Sequence, residues 1–359
     1  MQPPTHYPET VDGMAAHLLG RLQGVVPDFE LRLKAEIAVE VNRLKRVRNA
    51  VILGHNYMEP ALFHSITDYT GDSLYLSRVA ASSHADIIVF CGVRFMAETA
   101  KLLNPTRTVL LPSPKGGCSL AESITGEEVR ALRALCPGVP VVSYVNTYAD
   151  VKAETDICCT SGNAVAVVRH LMAEGHERII FLPDEYLAQN VARETGLPIL
   201  FPAKGPDGLH KDEDPPNMTR VMIGWRGRCE VHEKFTVEDI TRVRQQFPDV
   251  VVLAHPECSP EVVQAADFSG STTAMIERVQ QLTSGRYLLL TECSMADNIV
   301  SHSPNREMLR LCSIRCPHMA EITLEQTLES LRSLRYAVDV AEPLRERARQ
   351  SLERMISIG

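Results

Sequence analysis

The chain is poor in aromatic residues: Phe, Tyr and Trp make up 5% of its 359 positions. Its core must therefore be built from aliphatic side chains. No apolar run approaches the length that crosses a bilayer, so no membrane partner is expected. Basic excess is absent too. Against 45 Asp and Glu stand 37 Lys and Arg, a net charge of −8 with no basic run or stripe, which argues against a nucleic-acid partner. There is no GxxxxGK[ST] loop and no strand-borne GxGxxG, so neither a P-loop nucleotide nor a dinucleotide is indicated. The N-terminal stretch lacks the positive start and apolar segment of a secretory signal. The 10 cysteines include no CxxC pair. The expectation is a cytoplasmic, reducing setting, where clustered cysteines more often bind metal or do redox chemistry than form disulfides.

What is present is a pattern that recurs three times. The apolar runs "AVILGHNY", "PVVSYVNTY" and "DVVVLAHPEC" each end in polar residues and read as buried parallel strands. A helical stretch follows each, then an aspartate, then a hydroxyl-bearing turn. From Asp68, Asp156 and Asp267, the residues Ser73, Ser161 and Thr272 lie 5 positions downstream, and His55, Tyr144 and His255 lie 13, 12 and 12 upstream. A second half-motif, "ADIIVFCGVRFMAE", "HERIIFLPDEYLAQ" and "GRYLLLTECSMADN", aligns Ala97, Ala188 and Ala296. Such long periods suit three related α/β domains rather than a solenoid. The reading is three quasi-equivalent three-layer α/β/α domains around a pseudo-threefold axis. Residues 1–45 form a helical N-terminal segment, 46–125, 126–235 and 236–318 the repeats, and 319–359 a helical segment packing back on them. The stretch "FPAKGPDGLHKDEDPPNMTR" lengthens the second repeat and reads as a loop.

The repeat phase also singles out three cysteines. Cys118 and Cys316 lie 21 and 20 residues after Ala97 and Ala296. Cys229 lies 41 after Ala188, the excess being the inserted loop. Three domains about one axis would bring these thiolates to one point. Three thiolates are one short of closing a 4Fe–4S cube and would leave one iron open as a Lewis acid. Zinc suits the spacing less well. Cys312, near Cys316, is the alternative ligand. Cys91, Cys136, Cys158 and Cys293 read as small buried hydrophobes, and Cys258 as either a site residue or strand-end packing.

Ligands of open parallel sheets gather beyond the carboxyl ends of the strands. There the copies place His55-Asn56-Tyr57, Tyr144-Val145-Asn146 and His255-Pro256-Glu257, a set suited to proton transfer and to an oxygen-rich metabolite. The turns "GDS", "TSGN" and "GSTT" lead into helices whose N–H groups favour carboxylate or phosphate, although plain N-capping explains them as well. Lys152 reads as part of a solvated helix face.

Together these motifs resemble the quinolinate synthase family. The match runs from Val51 to Glu325 and includes "GCSLAES", "YVNTYADVKAETDICCTSGNA", "CEVHEKFT", "GSTTAMI" and "CPHMAEITLE". The resemblance implies condensation of iminosuccinate with dihydroxyacetone phosphate to quinolinate, in NAD biosynthesis. It also implies functional coupling to an aspartate oxidase or dehydrogenase that supplies the imine. Cys118, Cys229 and Cys316 would hold the 4Fe–4S cluster. His55, Ser73, Tyr144, Val145, Asn146, Ser161, His255, Pro256, Glu257 and Thr272 would bind substrate. Tyr57, Glu257 and Tyr144 are the candidates for proton transfer, and His232 and Glu233 for a supporting or phosphate contact. A CxxxC spacing replaces the CxxCxxCP of some relatives and leaves Cys312 without a role. Two rival readings are an isoprenoid-type reductase with a similar three-cysteine cluster and a cluster-based sensor without catalysis.

Overall fold

The computed structural model describes residues 5–205, 208–210, 219–281, 285–301, 306–309 and 314–358, so Cys312 lies outside the described residues. Two helices, Val11–Leu22 and Asp28–Val47, precede the first strand. Three separate parallel sheets follow. The first contains β1 (Ala50–His55), β2 (Tyr69–Gly71), β3 (Ile87–Cys91) and β4 (Thr108–Leu110) in the order β2-β1-β3-β4. The second is built from β5 (Val141–Tyr144), β6 (Ile157–Cys159), β7 (Arg178–Leu182), β8 (Ile199–Leu200) and, after a two-stranded hairpin of β9 (Ala203–Gly205) and β10 (Gly208–His210), β11 (Val221–Ile223). Its order is β6-β5-β7-β11-β8. The third holds β12 (Val251–Ala254), β13 (Phe268–Ser269), β14 (Arg286–Leu290) and β15 (Glu307–Leu309), in the order β13-β12-β14-β15. One four-strand order thus recurs, and the second unit adds β8 at its edge. The inserted stretch read as a loop contains the antiparallel β9–β10 pair.

Strand periodicity puts alternate side chains on opposite faces, and here both faces are apolar. In the third sheet Val252, Ala254, Leu288 and Leu290 pack with Ile240, Val243, Val262 and Val263. Their neighbours Leu253, Tyr287 and Leu289 pack on the other side with Met275, Val279, Met295 and Ile299. The second sheet divides likewise, with Val141, Ile180, Leu182 and Ile223 on one side and Val142, Ile179, Phe181 and Met222 on the other. Each is a sheet between two helical layers, as near-continuous apolar strands require.

The aspartates that mark the repeat do one job in each copy. Asp68, Asp156 and Asp267 accept from the amide N–H groups of Ile52, Val141 and Val252 at 2.8, 2.7 and 2.8 Å. Each also pairs with a base from the preceding helix: Lys45 at 2.8 Å, Arg133 at 2.7 Å and Arg244 at 2.8 Å. The carboxylate ties a helix end to the start of the first strand and so sets where that strand ends. Only the Asp68–Lys45 pair is deeply buried, with side chains 9% and 10% exposed.

A second set of contacts fixes the loops beyond the strand ends. Asn298 Nδ2 donates to the carbonyls of Asn56 and Met58 at 3.1 and 2.9 Å. Asn190 Nδ2 donates to those of Pro256 and Cys258 at 2.9 and 3.0 Å. These are the residues one and three past His55 and His255. In the remaining copy the same places are Val145 and Thr147, and both carbonyls accept from Lys152 Nζ, at 2.9 Å for Val145. Lys152 is 0% exposed, which overturns its reading as a solvated helix residue. Its short helix, Ala149–Lys152, is covered by the C-terminal helix Leu344–Ser357, whose Ser351 Oγ donates to the Lys152 carbonyl. Burial pushes the Lys152 pKa down.

Two expectations follow for urea unfolding. Asp68→Asn should cost about 3 kcal/mol because Lys45 stays buried without its anion, and Asp267→Asn about 1 kcal/mol because its pair is wet; equal losses would contradict the burial difference. Lys152→Met leaves the Thr147 carbonyl without its lysine donor and that of Val145 with only the Thr147 amide, and should cost about 1–3 kcal/mol, whereas an unchanged midpoint would mean that the lysine bonds add nothing.

Candidate active site

The polar strand ends converge on one cavity. It is lined by His55 and Tyr57 beyond β1, Tyr144 and Asn146 of the second unit, and His255 and Glu257 beyond β12. Ser73 and Thr272 line it from the first positions of their helices, Ser161 from the turn before its helix, and Cys118, Cys229 and Cys316 from the three cysteine loops. Val145 and Pro256, named from sequence as substrate contacts, do not line it. In the first and third units the triplet forms a turn, closed by the Met58 amide on the His55 carbonyl and the Cys258 amide on the His255 carbonyl, and in every unit the first and third side chains line the cavity while the second does not. Glu233 is exposed, whereas its neighbour His232 lines the cavity and is 2% exposed.

The other cysteines take structural places. Cys91, Cys136 and Cys158 are buried, Cys158 with its Sγ 3.3 Å from Ser351 Oγ. Cys258 is strand-end packing, its thiol donating to the Leu290 carbonyl. Cys293 is disulfide-bonded and half-buried, which corrects its reading as a buried hydrophobe.

Glu257 is the centre of the polar network. Its Oε2 lies 3.1 Å from His232 Nδ1 and 3.1 Å from His255 Nδ1, and Asn146 Nδ2 reaches Oε1 at 3.4 Å. The two imidazoles stack with centroids 4.5 Å apart. Burial alone would raise the Glu257 pKa, but the charge and hydrogen bonds of His232, with a bond from His255, outweigh it and keep the carboxyl ionised. Burial pushes His55 down to about 4, so it is neutral at physiological pH. The Tyr57 amide donates to His55 Nδ1 at 3.2 Å, which leaves the proton on Nε2. Burial also holds the Tyr57 and Tyr144 phenols well above their ordinary range, protonated.

Thr291, which sequence reasoning missed, joins two of these groups. Its Oγ1 lies 2.5 Å from Tyr57 Oη and 3.0 Å from His232 Nε2. Glu292, beside it, also lines the cavity, and burial raises its carboxyl to about 7. The missed signal was phase: Glu292 and the buried Asp184 both stand four residues before the repeated alanine and cap the following helix, accepting from Ser294 N and Leu187 N.

The hydroxyl turns also separate capping from exposure to the cavity. Asp72, not Ser73, caps the helix Ser73–Ser82 by accepting from Tyr75 N. Asn163 Oδ1 holds the turn at Thr160. Asn56 Nδ2 donates to Thr272 Oγ1 at 2.9 Å, and Ser271 Oγ to Asp72 at 3.1 Å, which joins the first and third units at the cavity wall.

The donor set fits a thiolate-held metal group. All three thiols face the cavity, and burial pushes Cys118 up to about 12, Cys316 to about 11 and Cys229 well above its ordinary range. Thiolates at these places need a cationic partner, as metal coordination provides. On the solvent side Ser119 Oγ donates to Glu230 Oε1 at 2.9 Å and His318 Nε2 lies 3.3 Å from it, so the residues behind the three cysteines are linked.

Residues 39–357 match the family model for quinolinate synthetase A protein. The chain is 49% identical over 349 residues to quinolinate synthase 2 of Mesorhizobium japonicum, covering 97% of this chain and 99% of the relative. It is 50% identical over 344 residues to quinolinate synthase of Agrobacterium fabrum, covering 96% and 92%. Against quinolinate synthase of Xylella fastidiosa it is 50% identical over 328 residues, covering 91% and 89%. With its repeated sheets, its shared cavity and likeness along nearly its whole length, the chain belongs to the quinolinate synthetase A family of enzymes.

Proposed function

We propose that this chain condenses iminosuccinate with dihydroxyacetone phosphate to quinolinate, with loss of phosphate and water, for NAD biosynthesis in the cytoplasm. The observation that carries this reading is the meeting in one cavity of three cysteines, three strand-end sets and three helix starts, one from each unit. That arrangement suits units set about a pseudo-threefold axis. Cys118, Cys229 and Cys316 would hold a 4Fe–4S cluster, which when bound supplies a Lewis-acidic iron without a protein ligand to a substrate hydroxyl.

The chain's own residues do the rest. The N–H groups and hydroxyls at Ser73, Ser161 and Thr272 bind the anionic ends of the two substrates. Held this way, a two-molecule encounter becomes an oriented one. His55 offers a neutral Nε2–H to a substrate oxygen and adds no charge. Glu257 stays ionised and takes a proton from substrate carbon or nitrogen. Tyr57, kept protonated, gives one to a leaving oxygen, with Tyr144 assisting. Val145 and Pro256 act through their backbone, by setting the loop, rather than by contact. An aspartate oxidase or dehydrogenase would supply the imine.

The direct experiment is anaerobic purification with iron and sulfide counted alongside quinolinate formation from the two substrates, without reductant. Product under those conditions supports the reading. A loaded protein that turns over only when given electrons favours the reductase, and one that binds no dicarboxylate in calorimetry favours the sensor. Glu257→Gln should keep cluster and fold and lower kcat by about 10²–10⁴-fold; near-normal turnover would remove its role. Cys316→Ala should purify without cluster iron while Cys312→Ala retains it, and the reverse result would move the ligand.

A further inference from the structure

One corner of the cavity carries a donor set different from the three thiols. Cys229 Sγ, His232 Nδ1 and a Glu257 carboxylate oxygen all lie within 4.8 Å of one another. His232 Nδ1 is 3.2 Å from the sulfur and 3.1 Å from Glu257 Oε2. A tetrahedral zinc ion with ordinary bond lengths would place a sulfur and a nitrogen ligand about 3.6 Å apart, and a nitrogen and an oxygen about 3.4 Å apart. These two separations are within a few tenths of an ångström of those values, and the sulfur and carboxylate lie within 4.8 Å of each other, so an ion would draw the three donors in through side-chain movement. The imidazole is also braced from behind, because His232 Nε2 lies 3.0 Å from Thr291 Oγ1. With the proton on Nε2 and donated to Thr291, the Nδ1 lone pair points at the other two donors, which is how metal-binding histidines are oriented. Thr291 then donates to Tyr57 Oη, which keeps that hydrogen bond. The histidine and the glutamate are 2% and 3% exposed.

We propose that the cluster-free protein binds a single divalent ion of the zinc class through Cys229, His232 and Glu257, with the fourth position facing the cavity. One sulfur, one imidazole and one carboxylate, with an open position, form a borderline set that suits zinc or cobalt better than calcium or magnesium. Binding releases the thiol proton of Cys229. Occupancy is exclusive: Cys229 cannot hold this ion and serve the cluster together. The ion therefore marks an inactive form that must be stripped before the cluster is loaded. Metal binding needs nothing from the catalytic reading; the consequence for cluster loading rests on it.

Cobalt(II) is the probe. The full chain, freed of metal by chelation under argon, is titrated with cobalt chloride and followed by absorption. One ion per chain should bind, with a thiolate-to-cobalt charge-transfer band and the visible bands of four-coordinate cobalt. Cys229→Ala should abolish the charge-transfer band. His232→Asn and Glu257→Gln should each weaken binding by about tenfold or more, and Thr291→Val by about tenfold. Cys118→Ala and Cys316→Ala should bind as the parent does. Loss of cobalt in these two variants would mean a three-thiolate site and overturn the proposal, as would parent-like binding by both His232→Asn and Glu257→Gln. The two cysteine variants keep the test decisive should His232→Asn fail to fold. No turnover is measured, so a failed condensation assay and a failed titration remain separate results.

Discussion

Everything at this site depends on how a parallel strand is allowed to end. Past the last ladder bond the chain still carries backbone carbonyls, and inside a protein each must find a donor. Here the carbonyls one and three residues past His55, Tyr144 and His255 are each met by one side-chain nitrogen: Asn298 for the first unit, Lys152 for the second and Asn190 for the third. With those two points pinned, the loop has one course, and its first and third side chains face inward. The two asparagines reach across from a neighbouring unit, so the bonds that shape each loop also hold the units together. Fold and site rest on the same bonds.

Within the cavity the governing effect is desolvation. Burial raises the thiols and phenols and lowers the imidazole of His55, so nearly every group that lines the cavity is driven to its neutral form. Glu257 is the exception, because two imidazole nitrogens sit on its carboxylate. The same contacts hold its carboxyl below the ordinary carboxylate range, so it stays ionised and can accept a proton at neutral pH.

The repeat was legible because its markers are backbone devices. An aspartate that must accept from one of the first three residues of a strand keeps its spacing whatever else varies, so Asp68, Asp156 and Asp267 gave a reliable phase. The same phase found the three cysteines and the inward-facing strand-end residues, and all of these reach the cavity. Val145 and Pro256, the middle residues of two triplets, do not line the cavity. Lys152 was misread because its helix has 4 residues, too few to show an apolar face, and because its cover comes from a helix almost two hundred residues away. Thr291 was invisible for another reason: its partners, Tyr57 and His232, are 234 and 59 residues distant, and a threonine at a strand end gives no pattern of its own.

The approximate symmetry supplies positions, and its violations supply chemistry. Two past the strand-end anchor the three units place Tyr57, Asn146 and Glu257. Three past the cavity cysteine they place Ala121, His232 and Met319. A carboxylate and an imidazole therefore meet at one corner only, between the second and third units, while the equivalent corners carry a phenol, an amide and apolar side chains. Were the copies identical, three carboxylates would crowd one small cavity and raise one another's pKa, and none would serve well as a base near neutral pH. Placing one acid–base pair, one phenol and one amide at related positions avoids that repulsion. It also gives the cavity a direction, with a proton acceptor at one end and a phenol elsewhere. An asymmetric product needs such a direction, and divergence at these two positions is enough to provide it.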